Sequence, residues 1–192
     1  MVKMTIDGKQ FAAVEGQMVL QVAQSHFIDI PTLCTHESVA PYGACRLCMV
    51  EVTNKAGRTR MVTSCLYPVE DGLVVQTNTP KVVKHRQMLM KLLLARVPDS
   101  DVIKEMAEKM GVTSTPFPLE DNQKCILCAL CTRACAEVVG QSAISLVNRG
   151  SERAMSIPFF DNNDACIACG SCAYICPTQA IVLEDKGDTR TI

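Results

Sequence analysis

Twelve cysteines divide this 192-residue chain into three groups of four with none left over. The first group is Cys34, Cys45, Cys48 and Cys65, spaced C-x10-C-x2-C-x16-C. The second, Cys125, Cys128, Cys131 and Cys135, is spaced C-x2-C-x2-C-x3-C, and Cys166, Cys169, Cys172 and Cys176 repeat that spacing 41 residues later, followed by Pro177. Three thiols stepping by three residues suit convergence on one inorganic centre, so metal ligation is the reading that the fold must accommodate. A disulfide framework is disfavoured. The segment from Met1 to Gly8 has no apolar core of signal-peptide length, so a cytoplasmic, reducing location is expected. The longest apolar stretch, Met88 to Ala95, is interrupted by Lys91 and falls far short of the roughly 20 residues of a membrane span. With 19 Lys and Arg against 20 Asp and Glu, 5 Phe, 3 Tyr and no Trp, the chain lacks the basic stripe and stacking aromatics of a nucleic-acid binder.

Zinc sites usually draw on two separated C-x2-C pairs rather than three thiols at steps of three. A cubane gives each iron one outward valence; a short loop reaches three irons and a distant thiolate closes the fourth. The repeated run has the spacing of the bacterial two-cluster ferredoxins, in which each fourth cysteine ligates the other cluster. That resemblance implies one [4Fe-4S] cluster on Cys125, Cys128, Cys131 and Cys176, and a second on Cys166, Cys169, Cys172 and Cys135. Crossed ligation would tie the halves together, and the metal-free protein is then expected to be largely unfolded. Ala136 stands where the repeat would place a proline, which is expected to loosen the turn after Cys135.

The first group alone is compatible with zinc or with iron–sulfur. Its surroundings read as a small sheet. Val2, Met4 and Ile6 alternate with polar residues, Asp7-Gly8 forms a hairpin turn, and Gln10 to Glu15 returns. A helix over about Met18 to Phe27, with Leu20, Ala23 and Phe27 on one face, precedes a Pro/Gly-rich loop holding Cys34 and Cys45. Strands follow at Leu47–Thr53, Thr59–Thr63 and Leu73–Thr77. The stretches Ile30 to His36 and Gly43 to Val52 resemble the ferredoxin domain that opens the large iron–sulfur subunit of respiratory complex I, the diaphorase iron–sulfur subunit of NAD-linked nickel–iron hydrogenases, and iron-only hydrogenases. The resemblance covers about residues 1 to 187. It implies an α+β chain: an N-terminal β-grasp domain (1–79) holding one [2Fe-2S] cluster on Cys34, Cys45, Cys48 and Cys65, a short helical linker (80–113), and a C-terminal bacterial-type ferredoxin domain with two [4Fe-4S] clusters (114–192). Members of that group usually carry H-x3-C-x2-C-x5-C for a further cluster between the domains. Here no cysteine lies between Cys65 and Cys125, and the corresponding segment, Leu94 to Asp101, holds no ligand, so three clusters are expected.

The remaining features have modest readings. His36 follows Cys34 as in half of a Rieske box, but four cysteines suffice, so it is expected to donate a hydrogen bond near the cluster or to lie at the surface. His26 ends a helix and His85 is expected to be solvated. The linker helix, about Lys81 to Arg96, carries Lys81, Lys84, Arg86, Lys91 and Arg96, with Val82, Leu89, Leu92 and Leu93 as an apolar stripe. Its basic face is either a docking surface or part of a spacer packing the two domains together. A second helix is expected from Asp101 to Met110, with Ser100 as N-cap and Gly111 as its stop. Thr113 to Pro118 marks the boundary with the C-terminal domain, where Ala143–Asn148 and Ala154–Phe159 read as a hairpin.

No dinucleotide fingerprint, nucleophile–base set or open-position metal site is visible, so the chain is expected to have no catalytic site of its own. The resemblance implies an electron-transfer subunit of a cytoplasmic hetero-oligomer. Its partners would be a flavin-containing NAD(P)H-oxidising subunit and a hydrogenase, formate dehydrogenase or similar reductase. The alternative is a free-standing multi-cluster ferredoxin, against which the net charge of -1 and the basic helix both speak. A succinate dehydrogenase-type iron–sulfur subunit would carry C-x4-C-x2-C in place of the first group.

Overall fold

The computed structural model describes residues 1–120, 124–157, 164–187 and 189–191. Its first unit is a five-stranded mixed sheet of order β2-β1-β5-β3-β4, built from β1 (Val2–Ile6), β2 (Lys9–Ala13), β3 (Met49–Thr53), β4 (Thr59–Thr63) and β5 (Leu73–Gln76). Strand β1 pairs antiparallel with β2 and parallel with β5, the expected β-grasp arrangement. Alternation works as the sequence suggests: Val2, Met4 and Ile6 of β1, Val50 and Val52 of β3, and Leu73 and Val75 of β5 are all buried. Helix α1 (Val19–Ser25) closes that face with Val19, Leu20, Val22 and Ala23. Phe27 does not join them. It lies beyond the helix end with φ 57° and 98% of its surface exposed, because the left-handed residue turns its side chain away from the core. At the β1–β2 turn, Asp7 (φ 47°) and Gly8 (φ 82°) supply the positive φ pair of a tight hairpin. The Asp7 carboxylate also accepts from Thr77 N–H at 2.8 Å and from Thr77 Oγ1 at 2.6 Å, fastening the end of β5.

Thr79 caps helix α2 (Pro80–Arg96) by accepting from Val82 N–H at 3.2 Å, with proline in the first turn. The buried positions of α2 are Val82, Arg86, Met90 and Ala95, whereas Leu92 is exposed. The expected stripe of Val82, Leu89, Leu92 and Leu93 is therefore rotated, because an arginine occupies a core-facing position. Arg86 donates to Leu47 O at 3.0 Å, Met49 O at 2.9 Å and Asn78 Oδ1 at 3.2 Å. Each hydrogen bond from a charged donor contributes about 1.5–3 kcal/mol, enough to offset the burial that lowers the Arg86 pKa. His85 is also not the solvated side chain expected: its Nε2 is buried and has no hydrogen-bond partner among the described residues.

Helix α3 (Asp101–Lys109) packs on α2, joining Met90, Val97, Ile103, Ala107 and Val112 in one cluster with Leu33 and Leu47 of the cysteine loop. Ser100 occupies the N-cap position, but its hydroxyl makes no capping bond and is buried without a partner among the described residues.

The C-terminal unit contains α4 (Leu130–Arg133), a π-helical stretch Ala134–Val138, the β6–β7 hairpin (Ser145–Val147 with Ala154–Ser156), α5 (Ser171–Tyr174) and the β8–β9 hairpin (Glu184–Lys186 with Thr189–Thr191). The end of the hairpin expected to reach Phe159 lies outside the described residues. Ala136 sits inside the π-helical stretch, so the chain does not turn loosely after Cys135; it continues as helix, where a proline would lack the N–H. Among the described residues no helix is long and apolar enough to cross a membrane.

Candidate iron–sulfur sites

The x16 spacing in the first group is a hairpin. Strands β3 and β4 pair Met49 with Thr63, so Cys48 and Cys65 emerge side by side, 3.4 Å apart at sulfur. Ser64 is fully buried and donates from both N–H (3.1 Å) and Oγ (2.8 Å) to Cys48 O, while its own carbonyl accepts from Leu20 N–H in α1 at 3.0 Å. On the loop side, Cys45 N–H donates to Cys34 Sγ at 3.5 Å. The thiols share protons in pairs: the Cys45 thiol beside Cys34 brings Cys34 down to about 5, and the Cys65 thiol beside Cys48 brings Cys48 down to about 6. Cys45 and Cys65 move up correspondingly, chiefly because each holds the proton its partner has given up. Cys34, Cys48 and Cys65 are buried and Cys45 is half-buried. Loading metal must displace the retained protons, so retention weakens as pH falls.

In the C-terminal unit the two runs exchange their last members. Cys125, Cys128 and Cys131 line one cavity of about 340 Å³ together with Cys176, not Cys135. Cys166, Cys169 and Cys172 line a second hollow together with Cys135. Burial pushes the Cys128 thiol up to about 11 and Cys131 to about 12, with the neighbouring cysteines, Cys176 among them, adding to the rise. Cys169 is exposed and its thiol is lowered by the Ser171 hydroxyl at 3.4 Å.

Both runs are wound alike. Leu127 (φ 54°) and Ala129 (φ 62°) in the first correspond to Ala168 (φ 52°) and Gly170 (φ 78°) in the second. Alternating left-handed residues turn successive N–H groups towards one point, the nest geometry that receives anions. Three of the four are not glycine, so the strain is held in place by the surrounding structure. Further amides address sulfur: Leu127 N–H to Cys125 at 3.4 Å, Ala143 N–H to Cys135 at 3.2 Å and Ala180 N–H to Cys176 at 3.2 Å. None of the twelve cysteines is joined in a disulfide. Among the described residues, no three His, Cys, Asp or Glu side chains are grouped to hold a single metal ion. The eight C-terminal thiols line two hollows, and hollows with inward amides suit an anionic cluster.

The sites adjoin. Cys34 and Val39 pack with Cys128, Leu130, Ala134 and Ile175 in one buried cluster. The linker spans the units as a strut, with Arg86 at the [2Fe-2S]-type loop and Arg96 donating to Cys125 O at 3.0 Å and pairing with Glu120 at 3.3 Å. Two of the basic side chains that the sequence left between docking and packing are therefore packing groups. His36 Nδ1 accepts from Ser38 N–H at 3.2 Å, and the ring lines a hollow shared with Cys169. The His26 ring lies 4.4 Å from Phe11.

Residues 1–80 match the 2Fe-2S iron-sulfur cluster binding domain family, and residues 124–190 match the 4Fe-4S dicluster domain family. The chain thus joins a domain of the 2Fe-2S cluster-binding family to a domain of the 4Fe-4S dicluster family. It is similar to the NADP-reducing hydrogenase subunit HndD of Solidesulfovibrio fructosivorans, with 34% identity over 95% of this chain and 36% of that protein. It is also similar to the NADPH-Fe(3+) oxidoreductase subunit alpha of Geobacter sulfurreducens, with 35% identity over 95% of this chain and 24% of that protein. Its fold matches a chain in the crystal structure of an NAD+-reducing [NiFe]-hydrogenase in the H2-reduced state, with a TM-score of 0.81 and 26% identity over 93% of this chain and 86% of that chain. The chain spans between 24% and 36% of the length of these two curated relatives.

Proposed function

We propose that this chain is the electron-transfer subunit of a hetero-oligomeric oxidoreductase. It would relay electrons between a flavin-containing NAD(P)H-oxidising subunit and a catalytic subunit such as a hydrogenase, formate dehydrogenase or similar reductase. In this reading Cys34, Cys45, Cys48 and Cys65 hold one [2Fe-2S] cluster. Cys125, Cys128, Cys131 and Cys176 hold one [4Fe-4S] cluster, and Cys135, Cys166, Cys169 and Cys172 hold another. Residues 1–79, 80–113 and 114–192 act as electron-carrying head, strut and second head.

When bound, thiolate-ligated clusters take up and give back single electrons, and their potentials respond to hydrogen bonds, burial and charge. The chain's part is to hold the thiolates, exclude water and keep the sites adjacent. One observation carries the reading: Cys34 packs with Cys128 in one buried cluster, which supports passage of electrons between the two heads. The relatives' names point to the same class of complex. Tagged and purified without oxygen from its own cells, the chain is expected to bring a flavin-containing subunit with it. The visible absorption of that complex should bleach on addition of NADH or NADPH. A chain that purifies alone, unbleached by either nucleotide in cell extract, would support the free ferredoxin instead.

A further inference from the structure

The ten residues between Cys34 and Cys45 do more than space two ligands. Their middle, Thr35 to Tyr42, lies against the helix running from Leu130 to Val138, and Arg133 of that helix is the centre of the contact. Its Nη2 donates to Cys34 O at 2.8 Å, its Nη1 donates to Ala40 O, and its guanidinium lies over the Tyr42 ring at 5.4 Å. Around it, Ala40 N–H donates to Glu137 Oε2 at 2.7 Å, and Arg153 donates to the Tyr42 hydroxyl at 2.8 Å. Arg133 Nε is buried and has no partner among the described residues, so the side chain is held by these contacts rather than by solvent. The position is unusual in what it joins. Arg133 stands two residues after Cys131 and two before Cys135, one thiol from each C-terminal set, while its guanidinium grips the carbonyl of a thiol residue from the N-terminal set.

We propose that Arg133 is a positioning residue for electron transfer within the chain, fixing the distance between the [2Fe-2S] site and the C-terminal sites and holding a positive charge beside Cys34. The proposal rests on the ligation set out above. The step it serves moves one electron from one site to another in the same chain, with no bond made or broken and no proton exchanged. A fixed cation beside Cys34 stabilises the state carrying the extra electron, since charge beside a site shifts its potential. Two carbonyls gripped by one planar fork give an orientation that a lysine cannot reproduce.

The test uses the full chain, loaded anaerobically with iron and sulfide, as wild type, Arg133→Met and Arg133→Lys. Iron analysis comes first, and about ten irons per chain are expected in all three. An EPR-monitored redox titration should show the [2Fe-2S] midpoint of Arg133→Met moved to more negative potential and that of Arg133→Lys close to wild type. The magnetic interaction between the reduced [2Fe-2S] and [4Fe-4S] signals should weaken in both variants. In Arg133→Met the ratio of docked to undocked chains should fall by at least about tenfold, since the charge-assisted hydrogen bonds to Cys34 O and Ala40 O are both lost. Wild-type midpoint and wild-type interaction in a fully loaded Arg133→Met would overturn the proposal while leaving the ligation intact. Failure of the wild-type chain itself to hold three clusters would overturn the ligation, and the proposal with it. If Arg133→Met does not load, Arg133→Lys decides: unchanged magnetic interaction there also overturns it.

Discussion

Replacing Cys176 by alanine is expected to empty the site formed by Cys125, Cys128 and Cys131, although Cys176 lies 45 residues or more from all of them in sequence. The reason is geometric: Cys176 shares the 340 Å³ cavity with those three thiols, and Cys135 shares the other hollow. Iron should fall from about ten to about six per chain, and the residual EPR spectrum of Cys176→Ala should match that of Cys125→Ala rather than that of Cys166→Ala. Cys135→Ala should pair with Cys166→Ala in the same way. A Cys176→Ala spectrum matching Cys166→Ala would mean that each run keeps its own fourth ligand, and the crossed assignment would fail.

Stripping the clusters from the folded chain should unfold one end and spare the other. The N-terminal sheet has a core of its own, with sixteen buried residues joining α1 to β1, β3 and β5. The C-terminal unit has no comparable cluster among the described residues: Cys128, Leu130, Ala134 and Ile175 share their packing with Cys34 and Val39 of the other unit. Where apolar burial is thin, ligation energy is folding energy. After oxidative removal of iron with a chelator, hydrogen exchange should show amides of α4, α5 and the β6–β7 hairpin losing nearly all protection. Amides of β3 and β5 should stay protected. Loss of protection in both units together would show that the sheet also depends on its cluster, as the sequence spacing first suggested for the whole chain.

The parts of this molecule that are local in sequence were legible there. Alternation at Val2, Met4 and Ile6, the Asp7-Gly8 turn, the proline opening α2 and the cysteine spacing all act over a few residues, and each has its counterpart in the structure. The parts set by contacts distant in sequence were not. Nothing near Arg86 or Arg133 marks them as buried anchors; they become so through carbonyls 37 to 99 residues away. Phe27 counted towards an apolar helix face, yet a positive φ puts it in solvent. The x10 loop looked merely irregular because its partners, Arg133, Glu137 and Arg153, lie in the other domain. Some signal was available: ten residues between two thiols is a long loop that needs a reason for its length, and Tyr42 with two arginines in the opposite unit supplies one.

The central claim is that twelve thiols hold one [2Fe-2S] and two [4Fe-4S] clusters. Mössbauer spectroscopy of the chain, grown on iron-57 and purified without oxygen, tests it most directly. About ten irons per chain are expected, roughly one-fifth in a [2Fe-2S] spectrum and the rest in [4Fe-4S] spectra. A colourless protein containing zinc, or an iron inventory with no [2Fe-2S] component, would contradict it.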